Sequence, residues 1–171
     1  MNGGANLHGQ SVTSKETEAV IAQAKQAVAE LFGASSDEVA FGANMTTLTF
    51  AISRALSRNW KKGDELVVTE MDHRANVDPW LAVAEDLGLV VRWLRVDPRE
   101  LTLDLSDLNS IITERTRLVA VGLASNGIGT ITQMEDISRR AREMGALVVI
   151  DAVHATPHFS IQRDEIGADI I

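Results

Sequence analysis

Apolar positions along the chain follow two periods in alternation. Thr13 with Glu16 forms a capping-box pattern, and Val20, Ile21, Ala24, Val28, Leu31 and Phe32 then recur at helical spacing, with Gly33 as a stop. Residues 38–42 suit a short strand. From Thr46 to about Ser57 the period is helical again, with Leu48, Ile52 and Leu56 on one stripe. Lys62-Gly63-Asp64 reads as a turn and Leu66-Val67-Val68 as a strand. Asp78 and Pro79 mark a helix start, N-cap then first turn, that runs to Gly88. Val90 to Leu94 is β-rich, Ser106 caps a short helix through Ile112, and Arg117 to Leu123 is strand-like. Ile137, Ala141 and Met144 place a helix over Met134 to Met144, closed by Gly145. The apolar run at 147–150 suits a strand buried on both faces. Ala168 to Ile171 reads as the start of another strand, and residues 1–12, rich in Gly and Asn, as loop.

This alternation predicts an α/β fold: a mostly parallel sheet with helices on both faces, a three-layer αβα arrangement in one domain over residues 1–171. A chain that stops inside an apparent strand reads as truncated.

Composition narrows the function. The 171 residues, 45% of them hydrophobic, are enough for a substantial core. A net charge of −8 argues against nucleic acid as a partner, while leaving room for a small anion held by backbone amides. The absence of cysteine excludes disulfides, thiolate metal sites and a cysteine nucleophile within the chain. No apolar run approaches the length that spans a bilayer, and the polar start lacks a signal-peptide pattern, so a cytoplasmic protein is expected.

Four polar segments each follow a predicted strand, and in a parallel sheet all four gather along the carboxyl edge, where ligands bind. Gly42-Ala43-Asn44-Met45-Thr46-Thr47 opens a helix whose free amides, with the Thr46 hydroxyl, suit a phosphate; N-capping by Asn44 or Thr46 explains the same residues. In Glu70-Met71-Asp72-His73-Arg74-Ala75-Asn76, His73 can lay its ring on a flat ligand, or bond its own loop. Ala124-Ser125-Asn126-Gly127-Ile128-Gly129-Thr130 offers the Asn126 amide beside two glycines that allow close backbone approach, and a structural turn explains the same composition. Asp151, at the end of the 147–150 strand, suits a protonated nitrogen or a metal, or caps the following turn. Asp151, His154 and His158 also admit a zinc or iron reading, although Pro157 disrupts helical spacing and no HExxH frame is present. Jointly the segments suit a flat, nitrogen-containing, phosphorylated ligand.

At this point the chain resembles the class V, fold-type I enzymes that depend on pyridoxal 5'-phosphate, and their cysteine desulfurase-like branch in particular. The resemblance rests on ordered blocks: Gly63 to Val68, Met71 to Asn76 with Pro79-Trp80, Ser125-Asn126 with Gly129-Thr130, and Ile150-Asp151 with His154. It implies that Met45 (through its amide) and Thr46 hold the cofactor phosphate, and that His73 stacks on the pyridine ring and moves protons. Asn126 would lie near the phenolic oxygen, and Asp151 would pair with the ring nitrogen. His154 stands where desulfurases usually carry glutamine and can donate to the phenolic oxygen. It implies an amino-acid substrate and a homodimer; no metal, membrane or nucleic-acid partner is expected. It also implies that the Schiff-base lysine, the small C-terminal domain, the cysteine loop and the family's opening segment lie outside this chain. The 171 residues are then part of the large domain, inactive alone, with strand 38–42 left without its usual neighbour. Three functions remain open: a desulfurase-like lyase or transferase (or a class V aminotransferase of other specificity) in the intact protein, a non-catalytic cofactor-binding domain, and a metal-dependent hydrolase.

Overall fold

The computed structural model describes residues 7–171, so the first half of the expected N-terminal loop lies outside the described residues. The sequence reads as one domain; the chain groups into two compact units, Met1–Phe41 with Ser160–Gln162, and Gly42–Phe159 with Arg163–Ile171.

The first unit is built on α1 (Val12–Phe32), which stops at Gly33 in the left-handed conformation, φ 67°. Its cap is Ser11, whose hydroxyl accepts from the Ser14 amide at 3.2 Å, and not Thr13. A serine oxygen two residues earlier does the same work for the first free amides, so the Thr13–Glu16 box does not form.

The second unit carries every strand among the described residues. Its elements are α2 (Met45–Leu56), β1 (Glu65–Thr69), α3 (Asp78–Leu87), β2 (Val90–Leu94), β3 (Val96–Asp97), β4 (Thr102–Leu103), α4 (Leu108–Ile111), β5 (Thr116–Gly122), α5 (Met134–Glu143), β6 (Leu147–Asp151) and α6 (Arg163–Ile166). The main sheet is parallel, in the order β2-β1-β5-β6. Period-2 alternation divides its side chains. Leu66, Val68, Leu118, Ala120 and Val149 pack with Trp80 and Ala84 of α3 and with Ile52 and Leu56 of α2. Val67, Val119, Val121, Val148 and Ile150 are equally buried and face the side occupied by α4 and α5. Both faces are covered, which is why these strands read as unbroken apolar runs.

Several expectations are corrected. Residues 38–42 form no ladder among the described residues; a 3₁₀ turn, Ser36–Glu38, is followed by Val39 in extended conformation but by no strand, and a strand needs a neighbour to be one. Ala168 to Ile171 contributes one parallel bridge, Val149 to Ile170, instead of a strand. Asp78 lies inside α3, after the N-cap Val77, and Asp107, not Ser106, precedes α4. The β3–β4 hairpin had no apolar alternation to announce it, because each strand has only two residues.

Candidate functional site

The chain leaves β1 towards β2 on one side and returns to β5 and then β6 on the other. The sheet order therefore reverses between β1 and β5. In an open parallel sheet the crevice at the carboxyl ends of such strands is the binding position. A cavity of about 450 Å³ lies there, within the range of small-molecule sites. Met45, Thr46, His73, Asn126, Asp151 and His154 all line it. Residues up to 109 positions apart in sequence (45 to 154) thus share one cavity, because the segments after β1, β5 and β6 leave the same sheet edge and the start of α2 borders it.

At α2 the two readings of the 42–47 segment divide between its residues. Asn44 is the cap: its Oδ1 accepts from the Thr47 amide at 2.9 Å and the Thr47 hydroxyl at 3.0 Å. The amides of Met45 and Thr46 stand in the first turn, where a helix supplies no acceptor, and both residues border the cavity. That end of the site is positively polarised.

After β1 the chain turns through a 3₁₀ element, Arg74–Asn76. His73 uses Nδ1 to accept from the Ala75 amide at 3.1 Å. In a neutral imidazole the other nitrogen then carries the hydrogen, so Nε2 is left as the donor. The loop reading of His73 and its place at the cavity are both realised.

Asp72, beside it, was not singled out by sequence reasoning. Its Oδ1 accepts from the Gly122 amide and the Thr69 hydroxyl, each at 2.8 Å, and its Oδ2 from Asn76 Nδ2 at 2.8 Å. Gly122 must be a glycine for this to fit, since a Cβ there would lie 2.8 Å from Oδ1. Burial pushes the Asp72 carboxyl up to about 6; the three donors oppose the shift and the nearby Asp151 charge adds to it. The available signal was the pairing of an acid after one strand with a glycine ending another, which only the strand order could join.

Asn126 lies in the loop 124–131, closed by an Ala124–Ile131 bridge and the Ser125 amide on the Thr130 carbonyl at 2.9 Å. Asp151 also combines two readings. Its Oδ1 accepts from the Val153 amide at 2.9 Å, capping the turn, and among the described residues Oδ2 makes no hydrogen bond. Asp151, His154 and His158 do not form a metal cluster: among the described residues no group of three or more acidic or histidine side chains converges closely enough. The arrangement suits a flat ligand with an anionic group at the α2 end and a cationic nitrogen at the Asp151 floor.

The model of the Aminotransferase class-V family matches residues 1–171. A probable cysteine desulfurase of Streptomyces coelicolor is 38% identical over 98% of this chain and 41% of its own length. The apo structure of a cysteine desulfurase from Thermococcus onnurineus superposes with a TM-score of 0.90 at 30% identity, over 97% of this chain and 42% of that one. A variant of C-DES with glycine covalently linked to its pyridoxal-phosphate cofactor shares the fold at a TM-score of 0.80 and 22% identity, over 93% of this chain and 42% of its own. The chain spans about two fifths of the length of these relatives.

Proposed function

The chain belongs to the class-V aminotransferase family, a family of pyridoxal-phosphate-dependent enzymes, and on that premise we propose that it is the cofactor-binding part of an enzyme acting on an amino acid in the manner of a cysteine desulfurase. The observation that carries this reading is the convergence of Met45, Thr46, His73, Asn126, Asp151 and His154 on one cavity. The donors fit the cofactor. Two first-turn amides and a threonine hydroxyl belong to residues at the α2 end of the cavity, an imidazole belongs to another lining residue, and among the described residues Asp151 Oδ2 makes no hydrogen bond.

When bound, the cofactor supplies an electron sink for the substrate α-carbon. Asp151 would keep the ring nitrogen protonated, which strengthens that sink. His73, with its hydrogen on Nε2, would hold or deliver a proton at the substrate side of the ring. Asn126 and His154 would orient polar atoms at the ring edge. None of the four lysines, Lys15, Lys25, Lys61 and Lys62, lines the cavity, so the reactive amine would belong to residues outside these 171. On the family resemblance, the intact protein would be a homodimer; a class V aminotransferase of other specificity would use the same cavity.

Pyridoxine 5'-phosphate is a suitable probe, because it has the ring and phosphate without an aldehyde to react with surface lysines. Titration by calorimetry should show saturable binding, weakened about tenfold or more by Asp151→Ala, the loss expected for one charge-assisted bond. Binding that is unchanged in Asp151→Ala refutes the assignment.

A further inference from the structure

Two carboxylates in this unit, Glu65 buried and Asp72 half-buried, meet opposite fates. Glu65, at the amino end of β1, accepts from Arg92 and Arg115 at 3.0 and 2.7 Å. Asp72, past the carboxyl end of the same strand, has only neutral donors: the Thr69 hydroxyl, the Gly122 amide and the Asn76 amide. Among the described residues no lysine or arginine pairs with it. Arg74, two residues on, is turned to solvent and bonds Asp78 at 3.0 Å. The other ionisable groups around it are Glu70, paired outward with Arg95 at 2.8 Å, His73 and His154 on the cavity wall, and Asp151 from β6, a second negative charge. α2 and β5 contribute no charged residue to the cavity lining. Asp72 itself lines the cavity. A carboxylate withdrawn from water beside another carboxylate is stabilised most by a cation entering the space they share.

We propose that Asp72 is a second acidic positioning residue for the bound ring: it ties the ends of β1 and β5 and the His73 turn into one hydrogen-bonded unit and, with Asp151, gives the cavity floor a paired negative charge that a protonated ring nitrogen neutralises. The proposal rests on the cofactor reading above. Its consequence is proton linkage. In the free chain Asp72 holds its proton up to about pH 6. A ring cation against Asp151 removes the repulsion and adds attraction, so Asp72 releases that proton to solvent on binding, its midpoint falling by about 1 unit. Affinity then rises with pH between about 5 and about 6 and levels off above.

The test uses the chain with ¹³C-labelled aspartate carboxyls and pyridoxine 5'-phosphate. The Asp72 resonance should titrate near pH 6 alone and about one unit lower with ligand. Calorimetric affinities from pH 5 to 8 should rise about fivefold more in the parent than in Asp72→Asn, whose titrations of phosphate and ring are the same. Asp72→Asn keeps the shape, and Asn76 can turn its otherwise unpaired Oδ1 towards the new amide. A merely structural Asp72 would lower affinity equally at every pH. If the ligand binds and Asp151→Ala weakens it, but the Asp72 midpoint stays and Asp72→Asn follows the parent profile, this proposal alone fails. If the parent binds nothing at any pH, the cofactor reading fails and takes this one with it. Should Asp72→Asn not fold, the parent's carboxyl titration decides by itself.

Discussion

Glu65 offers the sharpest test of how the sheet is held at the end away from the cavity. It has no exposed surface, yet its Oε1 accepts from Arg92 Nη2 at 3.0 Å and Arg115 Nη2 at 2.7 Å, and its Oε2 from the Thr113 hydroxyl at 2.7 Å. Burial pushes this carboxyl up, but the Thr113 and Arg92 bonds and the charges of Arg92 and Arg115 outweigh it, leaving it below its ordinary value. Breaking a buried ion pair by removing one partner costs about 3–5 kcal/mol when the survivor stays buried. Here the survivors do not: Arg92 and Arg115 are 40% and 63% exposed and can rehydrate. Glu65→Ala should therefore cost about 2–3 kcal/mol, the value of the lost charge-assisted bonds. Glu65→Gln, which keeps the shape but not the charge, should cost about 1–2 kcal/mol. Arg115→Ala should cost under about 1 kcal/mol, because Arg92 and Thr113 remain. Urea unfolding followed by tryptophan fluorescence at pH 7 measures all three. The pH dependence adds a sign. A carboxyl depressed in the folded state contributes stability that is present above the ordinary value of 4.5 and is lost as pH falls through the folded value. The gap between parent and Glu65→Gln should accordingly close in acid. A Glu65→Ala chain within about 0.5 kcal/mol of the parent, or a Glu65→Gln gap as wide at about pH 3 as at pH 7, would refute the reasoning.

Asn44→Ala removes the cap of α2 and should cost about 1 kcal/mol in thermal or urea unfolding, with weaker binding of pyridoxine 5'-phosphate as the first-turn amides lose their frame. Gly122→Ala drives a methyl group to within 2.8 Å of Asp72 Oδ1, so it should cost about 1–3 kcal/mol and displace the Asp72 carboxyl resonance. Trp80 is fully buried, and among the described residues its Nε1 has no hydrogen-bond partner. Trp80→Ala should cost about 3–5 kcal/mol by opening a cavity, but Trp80→Phe less than about 2 kcal/mol, because it also removes the unpaired donor; equal losses in urea unfolding would contradict that accounting.

The elements that sequence pattern reached are those whose burial leaves a period behind. β1, β5 and β6 read as apolar runs because helices cover both faces, and α2, α3 and α5 as stripes because each packs on one side. Caps were less legible. Ser11 and Thr13 are both competent N-caps, and the choice depends on which hydroxyl the turning chain brings to a free amide. Residues 38–42 have strand composition, but pairing is a property of two segments, and no described segment pairs with this one. The six cavity residues could be grouped from sequence because each follows a strand or a strand-like segment, and parallel strands share an exit edge. Asp72 could not. Its significance lies in Gly122, 50 positions away, and that neighbourhood depends on β5 lying beside β1 while β2 lies on the other side.

The same order explains why the cavity is at one end of β1 only. That strand, Glu65-Leu66-Val67-Val68-Thr69, is buried throughout, with an apolar middle and a polar group at each end. Each buried polar end needs a partner. At the amino end the need is met within the chain, since two guanidinium groups and a hydroxyl surround Glu65 and its charge is answered there. At the carboxyl end Thr69 donates to Asp72, which satisfies the hydroxyl but transfers the need to a carboxylate whose other partners are neutral. Asp151 sits on the adjoining floor with one oxygen that makes no hydrogen bond among the described residues, so the negative charge there exceeds what those donors offset. One end of the strand is electrostatically closed within the chain; on the proposed reading the other is completed by a ligand that carries a positive charge on a body flat enough to lie against His73.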